Sequence, residues 1–264
     1  MLAFERHNKI LELLYKDKKV TTDGLSKLIN VSACTIRNDL NKLEKDGLIK
    51  RIHGGAVLPQ TIQRELSFPS RKSKNQNEKN AIGKKAYDLV KDGQCIIIDA
   101  SSTSMSFAKY LNKTDFRITV ITNGIYTALE LKDNNNINVI LVGGVVRPKS
   151  GSLEGLMGKN LISQINADVA FLSARGFTME EGLTEFNIYE AELKKLLISR
   201  ARKVVAMLDF SKLEVNSISS FADSKQVDTI ITDYNSQKDI LEKYEKCGID
   251  VIVAQRDMEK AIQD

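Results

Sequence analysis

The sequence has few of the residues on which disulfide frameworks, metal centres and membrane spans depend. Of its 264 residues, three are cysteine, two are histidine and none is tryptophan. The three cysteines are far apart and odd in number, which argues against a disulfide framework, and no metal-ligand spacing occurs. No stretch approaches the roughly 20 apolar residues of a membrane helix. We therefore expect a cytoplasmic protein with no metal, no cofactor and no membrane span.

The remaining composition is that of a globular protein with unevenly placed charge. Apolar residues make up 42% of the chain, enough for a sizeable core. The N-terminal segment places charges inside its apolar run and lacks a small-residue cleavage site, so we expect no secretory signal. Residues 1–80 carry a net charge of +7, whereas residues 81–264 carry −2. This asymmetry fits a polyanionic partner for the N-terminal part, or merely a basic, solvated surface.

The first 50 residues show helical periodicity, with a helix-turn-helix pattern at about residues 20–39. Thr21 or Thr22 can cap a helix that runs through Gly24–Asn30. After a short turn, Ser32 can cap a second helix that ends at Gly47. Two short helices joined in this way form a helix-turn-helix. Residues 48–57 then read as two strands joined by a Gly-Gly turn, which predicts a β-wing.

The second helix of the pair is a candidate DNA-recognition helix. Its apolar residues Ile36, Leu40 and Leu43 leave the opposite face polar. Arginine and asparagine can make bidentate contacts to guanine and adenine edges in the major groove, and basic wing residues can pair with phosphates. The pattern alone also fits a plain interaction module. The predicted DNA-contacting residues are Thr21, Thr22, Ser32, Ala33, Cys34, Thr35, Arg37, Asn38, Asn41, Lys50, Arg51, His53, Gly54 and Gly55.

From residue 81 onward, short apolar strands alternate with helical stretches, which indicates a parallel sheet covered on both faces. The segment before it holds Pro59, Pro69 and a polar run. We therefore predict a winged helix-turn-helix domain (1–57), a linker (58–80) and a Rossmann-like, mostly parallel α/β domain (81–264). The predicted strands are Cys95–Asp99, Thr119–Thr122, Val139–Val142, Val169–Leu172, Val204–Leu208, Thr229–Thr232 and Val251–Ala254. The predicted helices are Ala81–Lys91, Met105–Leu111, Thr127–Leu131 and Ile188–Ala201.

Small and polar residues follow several of these strands, at the edge where open parallel sheets hold their ligands. The run Ala100–Ser104 precedes a helix, and hydroxyls with free N–H groups at a helix N-terminus suit a phosphate. Gly143–Gly144 would allow close approach of the backbone to a ligand. Arg147, Lys194 and Lys212 could neutralise an anion.

Each of these features also has an ordinary structural explanation. Short Ser, Thr and Gly loops are common turn chemistry, and Glu190 with Lys194 has the i,i+4 spacing of a helix-surface pair. No nucleophile elbow or P-loop is present, so we predict no catalytic residue and no enzymatic activity.

The N-terminal motif resembles the DNA-binding module of the DeoR family of bacterial regulators. The resemblance rests on the string VS-x-x-TIR-x-DL-x-x-LE-x-x-G-x-I-x-R-x-HGG. It implies binding to double-stranded operator DNA. Members commonly have a second arginine directly after the first, where this chain has Asn38, a departure that bears on the operator sequence rather than on DNA binding itself.

The resemblance continues through ITNG, VGG-x-x-R, SLEG, FLSARGF, EEGLTE, YEAELKK and LDFSK, up to about residue 235. These strings are similar to the DeoR sensor domain, whose fold is similar to ribose phosphate isomerase, glucosamine phosphate deaminase and CoA transferases. The resemblance implies a phosphorylated sugar effector, usually acting on a repressor that is a homodimer or homotetramer. By position it implicates Asp99, Ser101, Ser102, Thr103, Thr122, Asn123, Gly143, Gly144, Arg147, Lys194, Asp209 and Lys212.

Arg175 departs from many relatives, which have an acidic residue there. An arginine cannot act as a general base because it stays protonated. Arg175 therefore argues against catalysis, and we expect it to contact a second anionic group on the effector. Two alternatives to a repressor stay open: a sugar-phosphate isomerase or deaminase with an appended DNA-binding domain, and an activator.

Overall fold

The computed structural model describes residues 2–45, 48–58, 67–147 and 149–256. The chain divides into two compact units, Met1–Arg71 and Lys72–Asp264. Each unit has its own core.

The N-terminal unit is a winged helix-turn-helix. Its three strands form an antiparallel sheet in the order β1-β3-β2. Leu25, Ile36 and Leu40 are buried, as their three- and four-residue spacings predict. The elements are α1 (Ala3–Asp17), β1 (Lys19–Thr21), α2 (Thr22–Ile29), α3 (Ala33–Lys45), β2 (Lys50–Ile52), β3 (Gly55–Val57) and α4 (Phe68–Ser73).

Local capping fixes the turn between α2 and α3. The Thr21 hydroxyl accepts a hydrogen bond from the Gly24 N–H at 3.1 Å, so Thr21 is the cap of α2. Asn30 ends α2 in the left-handed conformation, with φ 57°. Ser32 Oγ accepts from the Thr35 N–H at 3.1 Å and caps α3. The predicted end of α3 at Gly47 lies outside the described residues.

The C-terminal unit is built on a seven-stranded, wholly parallel sheet in the order β15-β14-β12-β9-β4-β5-β6. This architecture confirms the predicted Rossmann-like α/β fold. The strands are β4 (Cys95–Ile98), β5 (Ile118–Thr122), β6 (Ile137–Leu141), β9 (Ala167–Leu172), β12 (Ala201–Met207), β14 (Thr229–Asp233) and β15 (Asp250–Ala254).

Helices cover both faces of this sheet. One apolar cluster contains Phe107 and Leu131, and the other contains Leu193 and Tyr244, so each face has its own core. The helices are α5 (Gln76–Tyr87), α6 (Ser102–Leu111), α7 (Ile125–Leu131), α8 (Lys159–Ser163), α9 (Ile188–Ile198) and α10 (Lys238–Lys246).

Two small antiparallel sheets, which the sequence analysis did not predict, add to the parallel one. Their strands are two to four residues long, too short to show a clear alternation. One sheet is the pair β7 (Val145–Val146) and β8 (Leu153–Glu154). The other has the order β10-β11-β13, from β10 (Gly176–Thr178), β11 (Gly182–Glu185) and β13 (Ser219–Ala222).

Several helix boundaries differ from the predicted ones. Helix α5 begins at Gln76, inside the segment predicted as a linker, and α4 also lies in that segment. The polar run there spans the end of α4 and the start of α5, and in α5 Lys79 is buried together with Ala81, Ile82 and Ala86. Helix α6 begins at Ser102 rather than Met105. The predicted linker residues 59–66 lie outside the described residues.

Candidate functional site

Helix α3 exposes the face that the sequence predicts for DNA contact. Its apolar side chains are buried, while Arg37 and Asn38 project to solvent. Among the other predicted contacts, Ser32, Cys34 and Asn41 are exposed, and Ala33 and Thr35 are half-buried. Ser32 caps the N-terminus of this helix. In a helix-turn-helix, the N-terminal turns of the recognition helix are the part that contacts base edges.

Asp39, which the sequence analysis did not single out, ties α3 to α1. Its carboxylate accepts hydrogen bonds from Arg6 Nε at 2.8 Å and Arg6 Nη2 at 2.9 Å, and His7 Nε2 lies 3.0 Å away. Burial alone would raise the pKa of Asp39, but the hydrogen bonds from Arg6 and His7 hold it below its ordinary value. Asp39 therefore orients the recognition helix without facing DNA.

A second brace joins α3 to the wing. Arg51 Nη1 donates to Asn41 Oδ1 at 2.6 Å, and the Arg51 N–H donates to Glu44 Oε1 at 2.8 Å. Arg51 and Asn41, both predicted DNA contacts, therefore hold each other in place. Lys50 and His53 are exposed on the wing, where phosphates could reach them.

Two of the predicted DNA contacts do not reach the surface. Thr22 is only 6% exposed. Gly55 is buried, and a Cβ on it would lie 2.0 Å from the Val20 carbonyl oxygen. Gly55 pairs with Thr21 where β3 runs antiparallel to β1, and the Thr22 N–H donates to the Gly54 carbonyl at 2.8 Å, so both positions serve packing. Thr21 is occupied in capping α2, whereas Gly54 is exposed at the wing turn.

In the C-terminal unit, the predicted effector residues gather at the carboxyl edge of the parallel sheet. Asp99, Ser173 and Asp209 follow β4, β9 and β12, which are adjacent in the sheet. Asp99 is fully buried and accepts from the Ser101 N–H at 3.2 Å and the Ser173 N–H at 3.1 Å. It also accepts from the Ser104 hydroxyl. The Asp99 carboxylate thus holds the loops after β4 and β9 in place.

The N-terminus of α6 meets this edge. Ser101 caps the helix by accepting from the Ser104 N–H at 3.0 Å, and Ser102 and Thr103 lie in the first turn rather than before the helix. Thr103 is fully buried, yet its hydroxyl has no hydrogen-bond partner within the described part of the chain. A first helical turn also presents backbone N–H groups with no partner in the helix, which suits an anion.

Lys194 of α9 is buried. Its predicted role, neutralising a bound anion, would require an accessible ammonium. It is 1% exposed, and its ammonium lies 2.8 Å from Asp99 Oδ2 and 2.8 Å from the Ser173 carbonyl oxygen. Burial alone would lower the pKa of Lys194, but Asp99, Glu185 and Glu190 raise it above its ordinary value. Lys194 is therefore charged and saturated by the protein's own carboxylates.

Lys212 is a predicted cation at this edge that stays partly accessible. Its ammonium donates to Ser173 Oγ at 2.8 Å and lies 3.8 Å from Asp209, and 19% of its side chain is exposed. Burial lowers the pKa of Lys212 below its ordinary value, although the negative charge of Asp209 acts to raise it. Asp209 itself accepts from Asn75 Nδ2 at 2.9 Å.

Arg147 reaches the site by pairing with two glutamates that the sequence analysis did not place in it. Its Nη1 lies 2.8 Å from Glu190 Oε2 and 3.3 Å from Glu154 Oε1. Asn187 Nδ2 also donates to Glu154, at 3.2 Å. Burial, with the charge of Glu190, raises the pKa of Glu154 to about 7. The strings SLEG and YEAELKK contain these residues, but the sequence does not show that they meet.

The remaining predicted residues lie around this cluster. Asn123 is fully buried; its Nδ2 donates to the Leu153 carbonyl at 3.0 Å, while its Oδ1 has no partner among the residues described. Thr122 Oγ1 accepts from the Gly124 N–H at 3.0 Å. A Cβ on Gly144 would lie 2.6 Å from the Glu154 carbonyl oxygen, whereas Gly143 faces open space. Arg175 is exposed.

The described residues contain neither a metal centre nor a membrane span. No group of three or more His, Cys, Asp or Glu side chains there could hold a metal ion. No helix in those segments is long and apolar enough to cross a membrane.

Comparison with known proteins covers both units. A DeoR-like helix-turn-helix domain matches residues 6–62, and the DeoR C-terminal sensor domain matches residues 74–234. The chain is similar to the HTH-type transcriptional regulator GolR of Listeria innocua, with 51% identity over 97% of this chain and 100% of the relative. It is also similar to the HTH-type transcriptional repressor GlcR of Bacillus subtilis, with 34% identity over 97% and 98%.

Among solved structures, ribose 5-phosphate isomerase A from Methanocaldococcus jannaschii matches with a TM-score of 0.39. The match has 20% identity and covers 53% of this chain and 55% of the isomerase.

Proposed function

Since the chain belongs to the DeoR family of DNA-binding transcriptional regulators and is not an enzyme, we propose that it represses a sugar-catabolism operon and is released from its operator by a phosphorylated sugar. It does so in the cytoplasm, as a homodimer or homotetramer, with no cofactor besides the effector. The relative GlcR is named a transcriptional repressor, which supports repression rather than activation.

The observation that carries the DNA-binding half is the exposed face of α3. Arg37 and Asn38 project from the first turns of a helix whose orientation is fixed by Asp39 on one side and Arg51 on the other. A rigid frame reduces the ordering cost of binding. The net charge of +7 over residues 1–80 adds an attraction for phosphates that does not depend on sequence.

The effector half is supported by the anion-binding character of the edge near α6. The first turn of this helix, the ammonium of Lys212 and the Thr103 hydroxyl, which has no partner in the described segments, are groups that suit a phosphate. The effector can release DNA only to the extent that it binds the DNA-free conformation more tightly than the DNA-bound one.

Fluorescence anisotropy tests both halves on DNA from upstream of the protein's own gene and its neighbours, near physiological salt. We expect tight binding that one member of a sugar-phosphate panel reverses. Lys212→Met should weaken the response to that compound, whereas Lys195→Met, at an exposed lysine of α9, should not. Tight binding that no compound alters up to millimolar concentration would reject the effector half and leave the DNA-binding half intact.

A further inference from the structure

The carboxyl edge of the sheet has two halves of opposite character. One half holds the first turn of α6 and Lys212, which suit an anion. The other half is an acidic wall, formed by Glu154, Glu185 and Glu190. Lys194 connects the two halves, because its ammonium lies 2.8 Å from Asp99 Oδ2 and 2.5 Å from Glu185 Oε1, while Arg147 pairs with Glu190 at 2.8 Å inside the acidic wall. A ligand that spans the edge therefore meets different chemistry at its two ends.

The ion pairs of the acidic wall, taken over the residues that the structure describes, contain more carboxylates than cations. Asp99 and the three glutamates share two cations in their ion pairs, Arg147 and Lys194. A buried negative charge is costly unless a hydrogen-bond donor or a proton compensates it. The raised pKa of Glu154, about 7, expresses this cost.

A second observation points to a ligand with hydrogen-bond donors. Asn123 is fully buried, and its Oδ1 is an acceptor without a partner among the described residues. The same side chain donates to the carbonyl of Leu153, the residue before Glu154. An unsatisfied buried acceptor requires a donor, which a sugar hydroxyl supplies and an ionised phosphate does not.

We propose, on the basis of the function proposed above, that the acidic wall and Asn123 receive the hydroxyl-bearing end of the effector, so that the site selects sugars with a single phosphate and rejects bisphosphates. The phosphate lies at the α6 end, beside Lys212. A second phosphate at the other end would face Glu154 and Glu190, and like charges brought together in this way oppose binding. This assignment replaces the expectation that Arg175 selects a second anionic group.

The test uses the full chain and matched compounds that differ by one phosphate. The probes are fructose 6-phosphate with fructose 1,6-bisphosphate, glucose 6-phosphate with glucose 1,6-bisphosphate, and inorganic phosphate alone. Binding is measured by calorimetry and, separately, by release from operator DNA. We expect at least one monophosphate to bind at least about tenfold more tightly than its bisphosphate. Glu154→Gln should narrow this ratio, and Glu192→Gln, which removes an exposed carboxylate of α9, should leave it unchanged.

The outcomes separate this inference from the proposed function. A bisphosphate that binds as tightly as its monophosphate in the wild-type chain overturns the inference, as does a ratio that Glu154→Gln and Glu192→Gln change equally. Monophosphate selectivity without any release of operator supports the inference and contradicts the effector half of the proposed function. If none of the sugar phosphates binds, this inference and the effector half of the proposed function both fail, while the DNA-binding half is unaffected.

Discussion

Arg37 and Lys50 are both exposed cations of the N-terminal unit, but they lie on different elements, the recognition helix and the wing. We expect Arg37→Ala to cost about 1–3 kcal/mol on the specific operator and to relax specificity. Lys50→Ala should weaken binding to all DNA similarly and reduce the salt slope by about one. Anisotropy titrations of operator and scrambled DNA at several salt concentrations measure both effects. Interchanged effects would mean that the helix and the wing have exchanged roles.

Glu154 gives the C-terminal unit a pH-dependent stability. Its pKa rises from 4.5 to about 7 on folding, so the native state holds a proton that the unfolded chain has lost between these values. Stability from this residue therefore falls as pH rises from about 4.5 through 7. Glu154→Gln removes the cost of ionising this buried carboxyl. The free energy of unfolding of the variant should therefore exceed that of wild type by about 1–3 kcal/mol between pH 5 and pH 8.

Urea denaturation at a series of pH values checks this gain. Glu192→Gln is the control, because Glu192 is exposed. A Glu154→Gln variant whose stability follows the wild-type pH profile would show that Glu154 ionises normally in the folded protein.

At the scale of elements, the wing depends on the close approach of β3 to β1. A Cβ on Gly55 would lie 2.0 Å from the Val20 carbonyl oxygen, so Gly55→Ala must push these strands apart. Gly54 has open space but a φ of +74°, so Gly54→Ala meets only backbone strain of about 1–2 kcal/mol. We expect Gly55→Ala to lower the free energy of unfolding by more than about 3 kcal/mol and to abolish most operator binding.

Hydrogen exchange of the β1–β3 amides and operator affinity distinguish the two glycine variants. The Gly55→Ala variant should lose protection at these amides, while Gly54→Ala keeps it. Equal losses in both variants would attribute the effect to the turn conformation rather than to the strand contact.

At the scale of the whole molecule, the proposed oligomer predicts the layout of the operator. Two recognition helices related by a two-fold axis contact half-sites about 10 base pairs apart, or a multiple of that distance. Inserting about five base pairs between the half-sites should therefore abolish tight binding, and inserting about ten should largely restore it. Footprinting checks the spacing of the half-sites, and analytical ultracentrifugation of the complex checks the oligomer. Binding that is indifferent to the five-base-pair insertion would contradict a rigid two-fold arrangement.

The sequence by itself determined the architecture and the family. The spacing of Ile36, Leu40 and Leu43 and the caps at Thr21 and Ser32 are local signals, and the structure places the helix-turn-helix on them. Short apolar strands between helices likewise predicted the parallel sheet. The motif strings identified the DeoR family, which the family matches confirm. Local periodicity suffices here because a helix or strand is defined by near neighbours.

Only the tertiary structure decided which polar side chains face a ligand and which serve the fold. Asp39 meets Arg6 across 33 positions of the chain, and Arg147 meets Glu190 across 43. Sequence reasoning treated Lys194 as a cation for the ligand, but the fold buries it among carboxylates that come from other elements. The start of α5 was hidden because its first five residues, 76–80, are all polar and show no apolar periodicity. Burial and charge pairing depend on residues far apart in sequence, which is why no local pattern reveals them.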